Sequence, residues 1–335
     1  MKILVCGGAG FIGSNFIRYH LKNFENDQIV NLDNLSFGDN FYSLKSYENS
    51  KNYRFEKDDI RNPQTISRLV KNADIVVNFA AETHVDRSIS NSKPFVEANI
   101  LGVQVILEAI TKYKKKFLQV STDEVYGTAY KKKTFSETDV LNPTNPYSAT
   151  KAGADLLTLS YHMTYGSYCM ISRCSNNFGP YQFPEKLIPK TIIRAYKNLK
   201  IPIYGDGNQT RDWMHVLDHV TAIESILSKG RSGEIYNIST MKEMSNLNIV
   251  KKVLKFMNKS QDLIEFVDDR PGHDRRYSLS YSKIERELKW APNYDFDSVL
   301  NQTIHWYLNN KNWWHIIANK KSLHKKPWIV KSKIK

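Results

Sequence analysis

Thr122, Asp123 and Glu124 stand side by side where a β-rich run ends. Two adjacent carboxyls in such a position can divide their work, one protonated as an acid and one ionised as a base, if their surroundings differ. Capping or solubilising the turn is the plainer reading of the same residues. Further along, Tyr147 and Lys151 share one face of any helix that holds them, about one turn apart, where the ammonium favours the phenolate. Spacing alone does not single out that pair, because the chain holds five Tyr-x-x-x-Lys pairs, at Tyr47/Lys51, Tyr53/Lys57, Tyr147/Lys151, Tyr196/Lys200 and Tyr307/Lys311. Asn145-Pro146, a helix opening directly before Tyr147, does single it out.

A second group of residues suits a dinucleotide. Gly7-Gly-Ala-Gly10-Phe11-Ile12-Gly13 follows the first expected strand and contains four of the chain's 15 glycines. Such a loop turns tightly, lets backbone approach a pyrophosphate and packs a helix closely. The spacing departs from G-x-G-x-x-G, and a structural turn is the competing reading. The second strand leads to Asp33, whose carboxylate can accept from both ribose hydroxyls of an adenosine and repels a 2′-phosphate. No Lys or Arg occurs from Asn31 to Leu44 to bind such a phosphate, so NAD is expected rather than NADP. Asp59-Ile60 and Phe79-Ala80-Ala81 follow the third and fourth expected strands, on the edge where ligands of open α/β sheets collect. Asp59 also reads as the N-cap of a helix starting near Pro63.

These residues need a scaffold that brings strand ends together. Short β-rich runs at 2–6, 28–32, 53–57, 74–78, 117–121 and 168–174 alternate with helix-length segments. That order predicts an α/β fold, a Rossmann-type doubly wound parallel sheet with helices on both faces. Two long helices, about 94–113 and 146–165, are apolar around more than one stripe, which predicts a homodimer formed through them. After Gly179 the chain breaks into Pro- and Gly-punctuated pieces that read as a smaller α/β substrate domain. The expected division is a dinucleotide domain of 1–178 plus about 213–239, a substrate domain of 179–212 and 240–317, and a basic tail of 318–335.

A length of 335 residues with 41% hydrophobic and 24% charged residues excludes a disulfide-stapled miniprotein and a disordered chain. The net charge of +14 is half accounted for by the seven lysines of 320–335, where no acidic residue occurs. Lys114–Lys116 and Lys131–Lys133 lack interleaved aromatics, and no nucleic-acid partner is expected. Cys6, Cys169 and Cys174 are widely spaced, which fits a reducing compartment and a cytoplasmic location. The apolar runs are shorter than the ~18 residues of a membrane span, and no membrane association is expected. His215 and His219 have the spacing of helical metal ligands but no evident third ligand, so no metal is expected.

Taken together, the motifs resemble those of extended short-chain dehydrogenases/reductases, and within them the dTDP-glucose 4,6-dehydratases. They are Gly7–Gly13, Ala80–Ser88, Ser121–Gly127, Tyr147–Lys151, Asn176–Pro189, Gly205-Asp-Gly, Arg211-Asp-Trp213 and Arg270–Tyr277, in order along nearly the whole chain to about residue 310. The resemblance implies dehydration of dTDP-glucose to a 4-keto-6-deoxy sugar with no net redox change. Tyr147 would take the 4-hydroxyl proton as C4 passes hydride to NAD, with Thr122 bonded to the same oxygen and Lys151 orienting the cofactor ribose. Glu124 would remove the C5 proton and Asp123 protonate the departing 6-hydroxyl. An unperturbed phenol has a pKa of ~10, and lowering it three units needs ~4 kcal/mol, which Lys151 and the positive nicotinamide are expected to supply.

The same resemblance implies cofactor contacts from Gly7, Gly10, Phe11, Ile12, Gly13, Asp33, Asn34, Ser36, Asp59, Ile60, Phe79, Ala80, Ala81, Thr83, Tyr147, Lys151 and Asn177. It implies substrate contacts from Thr83, Thr122, Asn176, Lys186, Leu187, Pro202, Tyr204, Arg211, Asn246, Arg270 and His273, with Arg275 and Arg276 as further cations for the diphosphate. His84 and His273 also read as packing residues. A UDP-glucose 4,6-dehydratase would share every catalytic residue. A 4-epimerase would need no Asp-Glu pair, an uronate decarboxylase would lack the Asp, and an inactive NAD-binding regulator would leave the whole set unexplained.

Overall fold

A computed structural model describes residues 1–36, 41–318 and 323. The lysines of the basic tail lie outside the described residues.

Continuous β-branched and aliphatic runs, apolar on both sides, form strands buried on both faces. Of this kind are β1 (Lys2–Cys6), β4 (Ile75–Asn78), β5 (Lys116–Thr122) and β6 (Cys169–Cys174), while β2 (Gln28–Asp33) and the polar, partly exposed β3 (Tyr53–Lys57) carry the sheet to its edge. With β10 (Ile235–Ile238) they form a seven-stranded, all-parallel sheet of order β10-β6-β5-β4-β1-β2-β3. The period-2 alternation sends Ile3, Val5 and Val77 to one face, with Phe16 and Ile17 of α1 (Phe11–Asn23). Leu4, Cys6 and Val76 go to the other, under α2 (Pro63–Lys71). The chain runs outward from β1 through β2 to β3 and then crosses back to β4 on the other side of β1, so the sheet has its switch point beside β1. Ligands of open parallel sheets sit at that point, outside the carboxyl ends of the strands.

After β4 come α3 (Val85–Ser90) and a 21-residue helix, Lys93–Tyr113. The sequence reads this helix as regular from about Pro94. It is instead α4 (Lys93–Val96), a π-helical turn over Glu97–Leu101, and α5 (Gly102–Tyr113). The turn absorbs an extra residue, a device common near functional sites, and directs Asn99 inward. By length and composition alone this helix, with a window mean hydropathy of 1.3, is apolar enough to cross a membrane, a test that the core helix of a globular protein also passes. One of its faces, Val103, Ile106, Leu107 and Ile110, packs into the core.

α6 (Pro146–Tyr165) opens on a capping box. The Asn145 side chain accepts from Ser148 N at 3.0 Å, and Asn145 N donates to Ser148 Oγ at 3.2 Å. Pro146 supplies the fixed φ of the first turn, so Tyr147 starts the helix and Lys151 follows one turn later. A buried pair joins α6 to the sheet: Arg173 Nε of β6 donates to Asp155 Oδ2 at 2.8 Å, and its Nη1 to the Tyr126 hydroxyl at 2.7 Å. Asp155→Ala leaves that guanidinium buried without its counter-charge. The expected loss is about 3–5 kcal/mol in a denaturant titration.

The rest of the chain builds a smaller lobe from β7 (Asn176–Phe178), α7 (Leu187–Tyr196), β8 (Ile201–Tyr204), β9 (Thr210–His215), β11 (Glu243–Ser245), α9 (Asn246–Phe256) and β12 (Ile264–Val267), with α8 (Val216–Lys229) following β9 in the chain. α11 (Phe296–Asn309) and α12 (Lys311–Ile317) complete it, while α10 (Ser282–Leu288) packs against β10 and α8, with Ile284 and Leu288 in the core of the large sheet. β7 and β9, parts of which fall in the segments expected to serve the large sheet, pair with β11 in a separate three-stranded sheet. The buried Asp212 carboxylate fixes β9 there by accepting from Thr240 N at 2.7 Å and Met241 N at 3.1 Å. β10 and α8 return to the large sheet, α8 packing beside α1. Phe178, Ile192, Trp213, Val253, Leu300 and Trp314 form the lobe's own core.

Candidate active site

The carboxyl ends of β1, β2, β4 and β5 surround a cavity of about 440 Å³. Gly7 turns the chain at φ +76°, where an added Cβ would stand 2.4 Å from Ala80 N, so the loop can lie this close to the end of β4 only as glycine. At Gly13 an added Cβ would stand 2.5 Å from Gly7 O. Gly10 caps α1 without any side-chain acceptor, and the first turn carries no acid, which leaves the first N–H groups of the helix for an anion. Asp33 closes the far side, its Oδ2 accepting from Ala9 N at 2.9 Å and its Oδ1 from Leu35 N at 2.9 Å.

Phe11, Ile12, Asn34, Ser36, Asp59, Ile60, Phe79, Ala80, Ala81, Thr83 and Asn177 line the same cavity. Asp59 does not cap the helix after it. Asn62 does, accepting from Gln64 N and Thr65 N, while Asp59 accepts from Asn34 Nδ2 at 2.8 Å and from Arg61. Arg61 also lines the cavity, but Asp59 and Glu97 hold its guanidinium, at 2.9 and 3.0 Å. A guanidinium so neutralised is a poor receptor for a 2′-phosphate.

Thr122, Asp123, Glu124, Tyr147 and Lys151 meet at the inner end of this cavity. Thr122 Oγ1 caps a short turn over Asp123–Tyr126 by accepting from Glu124 N at 3.3 Å, which sets the two carboxyls at the mouth of β5. Asp123 is 3% exposed and its Oδ2 has no partner among the described residues. Burial, then the charge of Glu124, pushes its carboxyl well above the ordinary range. Burial raises Glu124 as well, but the Arg270, Arg211 and Lys186 cations oppose the shift. The two acids are thus driven apart in the sense that gives one proton donor and one base. Tyr277 OH and Asn145 Nδ2 stand 3.4 and 3.5 Å from Glu124 Oε2, which they orient.

Lys151 Nζ is buried and donates to Val120 O at 2.7 Å. Tyr147 is hydrogen-bonded to Thr122, but burial and then the charge of Glu124 push its phenol well above the ordinary value. Burial also weakens Lys151's own hold on its proton.

A second cavity of about 190 Å³ adjoins the first, sharing Thr83, Glu124, Asn176, Asn177, Gln182, Glu185 and Lys186. Leu187, Pro202, Tyr204, Arg211, Asn246, Arg270 and His273 line it too. Arg211 is buried, bonded to the carbonyls of Thr210 and Asp274 and stacked 4.1 Å from the Tyr277 ring centre. Lys186 Nζ lies 3.4 Å from Thr83 O. His273, against Asp269 Oδ1 at 2.6 Å, is held down to about 4 by burial and the nearby Arg270. His84 is buried against Glu185 at 3.6 Å.

Arg275 and Arg276, expected as diphosphate cations, line neither cavity. Arg275 is exposed and paired with Asp206 at 2.9 Å, and Arg276 is forked onto Glu243. Asp86, Glu185, Lys190 and Tyr277 line the second cavity without having been singled out, although Asp86, Glu185 and Tyr277 lie inside the quoted motifs. Asn99 supports the first cavity from behind: its amide accepts from Glu82 N at 2.9 Å and donates to Glu82 O at 3.1 Å and Thr150 Oγ1 at 2.9 Å.

A doubly wound parallel sheet, a glycine turn at its switch point and a Tyr-x-x-x-Lys helix beside the end of β5 define the class as a short-chain dehydrogenase/reductase. The chain belongs to the GDP-mannose 4,6 dehydratase family, whose profile matches residues 4–303. It is 48% identical over 311 residues to low-salt glycan biosynthesis protein Agl12 of Haloferax volcanii, covering 92% of this chain and 99% of that one. It is 44% identical over 320 residues to the dTDP-glucose 4,6-dehydratase of an Actinoplanes species, covering 94% and 100%. The crystal structure of a dTDP-glucose 4,6-dehydratase from Bacillus anthracis in complex with NAD superposes with a TM-score of 0.90 at 43% identity, over 95% of this chain and all of that one.

Proposed function

We propose that the chain dehydrates dTDP-glucose to dTDP-4-keto-6-deoxyglucose with NAD as a recycled cofactor, in deoxysugar biosynthesis. The observation that carries this reading is the buried Asp123 with the half-buried Glu124 beside it, facing the same cavity as Tyr147 and Lys151. NAD fits the residues present: a glycine turn that tolerates no Cβ, an uncapped helix start, Asp33 at the adenosine side, and the Asn177 Oδ1 buried without a partner among the described residues. When bound, NAD takes hydride from C4 and returns it to C6, so the sum is loss of water.

Tyr147 receives the 4-hydroxyl proton, and the positive nicotinamide ring is the charge that offsets the upward push of burial on its phenol. Thr122 holds the same oxygen. With C4 a ketone, the C5 proton is acidified; Glu124 takes it and Asp123 protonates the leaving 6-hydroxyl, which departs as water. Glu124 then hands its proton back to C5, and the proton gained by Tyr147 balances the one Asp123 gave to the departing water, so exchange with solvent as product leaves restores both groups. Arg211, Arg270 and Lys186 provide the cationic wall for the diphosphate. A 4-epimerase has no use for the paired acids, which is why the dehydratase reading is preferred.

The test incubates the protein with dTDP-glucose and UDP-glucose in parallel and follows the alkaline absorbance of the 4-keto-6-deoxy product. Turnover of dTDP-glucose supports the reading, preference for UDP-glucose transfers it to the uridine series, and no signal with either overturns it.

Two further expectations belong to this reading. The outward faces of Lys93–Tyr113 and α6 carry exposed Val96, Leu101, Leu156, Met163 and Tyr165, which support a homodimer through these helices. Light scattering on a sizing column is expected to give twice the chain mass, and a monomer at micromolar concentration excludes it. Cys6, Cys169 and Cys174 are free and buried, which supports a reducing, cytoplasmic setting.

A further inference from the structure

Asp86 sits in the first turn of α3, just past Thr83, and is 2% exposed. Its carboxylate has two arms. Oδ1 accepts from Arg270 Nη1 at 2.7 Å, and Oδ2 accepts from the Tyr204 hydroxyl at 3.2 Å. The acid is carried by the segment after β4, whereas Tyr204 ends β8 and Arg270 follows β12, so one carboxylate ties opposite walls of the second cavity. The Arg270 side chain is 15% exposed, its Nε is buried with no partner among the described residues, and Asp86 is its one side-chain acceptor among them. Lys190, on α7, faces the same acid and is held down to about 8 by burial, with Asp86 the strongest opposing charge.

We propose that Asp86 is a positioning residue of the nucleotide pocket, aiming Arg270 and Tyr204 at the nucleoside diphosphate end of the substrate across the seam between the two lobes. The inference rests on the nucleotide-sugar reading above and adds a residue to it. The physical reason is preorganisation: a buried guanidinium fixed by an ion pair meets a phosphate without first being ordered or stripped of water. Without the carboxylate the same guanidinium is buried and unpaired, free to adopt other rotamers.

Asp86→Asn keeps the shape and an acceptor for Tyr204 but removes the charge. The KM for dTDP-glucose is expected to rise about tenfold or more, and the dissociation constant of dTDP, read by calorimetry on the holoenzyme, to rise in parallel. kcat is expected to stay within about threefold of wild type. In an Arg270→Ala background the same substitution is expected to add less than about twofold, because the two residues act as a pair. A KM and dTDP affinity within twofold of wild type overturn the proposal, as does a full effect persisting in the Arg270→Ala background. A fall in kcat and NAD content with KM untouched marks a purely structural role and overturns it too. Should Asp86→Asn fail to fold, Tyr204→Phe removes one arm alone: a rise of about threefold in KM is expected, and none overturns the proposal. A wild type that turns over neither sugar nucleotide and binds no dTDP sinks the functional reading itself, whereas an active wild type with an indifferent Asp86→Asn sinks this inference alone.

Discussion

Glu124→Gln is expected to stop the reaction halfway. On the proposed mechanism C4 oxidation depends on Tyr147 and is left in place, whereas the amide cannot accept the C5 proton. Mixing the variant with dTDP-glucose is therefore expected to produce reduced-cofactor absorbance at 340 nm that persists, with 4-ketoglucose nucleotide recovered on quenching and product formation down by ~10²–10⁴-fold. A variant that still releases 4-keto-6-deoxy product at near wild-type rate assigns the base elsewhere. The pH dependence follows from the same residue. Glu124 works as a base only when ionised, and burial raises its pKa. Elimination is thus expected to fall off as pH drops through that raised value, on an acid limb displaced upward from the ~4.3 of an ordinary glutamate. For stability the sign is opposite. A carboxyl whose folded-state pKa is raised contributes stability that is present below its unfolded pKa and is lost as pH rises through the folded value. Asp123, raised further, shows the effect more strongly.

Tyr147→Phe is expected to block the first step instead. The ring is buried beside Phe95, at 6.4 Å between centroids, so a phenylalanine keeps the packing and removes only the oxygen. No reduced cofactor is expected to accumulate on adding substrate, and turnover is expected to fall by ~10²–10⁴-fold with NAD still bound. Accumulation of reduced cofactor at the wild-type rate would remove Tyr147 from the role. The two variants together discriminate the halves of the reaction, because one loses the absorbance signal and the other holds it.

Much of this site was legible in the sequence because its residues announce themselves locally. The glycine turn follows a strand within a few residues, Asp33 ends the next, and Asn145-Pro146 fixes the helical phase that puts Tyr147 and Lys151 on one face. What escaped depends on partners remote along the chain. Arg275 and Arg276 look like phosphate ligands until Asp206 and Glu243 are seen beside them. Asp86 looks like a helix-start acid until Arg270 closes on it from 184 residues away. The upward push on Tyr147 is a matter of burial, which spacing does not reveal, and the π-helical turn at Glu97–Leu101 is an inserted residue that blurs an otherwise helical period.

Asn99, directed inward by that turn, gives the fold one more consequence. Its single amide joins the backbone of Glu82, next to Thr83, to Thr150, next to Lys151. Pieces of chain that meet only through folding are thereby locked in register before any substrate arrives. The loss of freedom needed to align the reacting oxygen with its neighbours is incurred once, at folding, and is not repeated in each catalytic cycle.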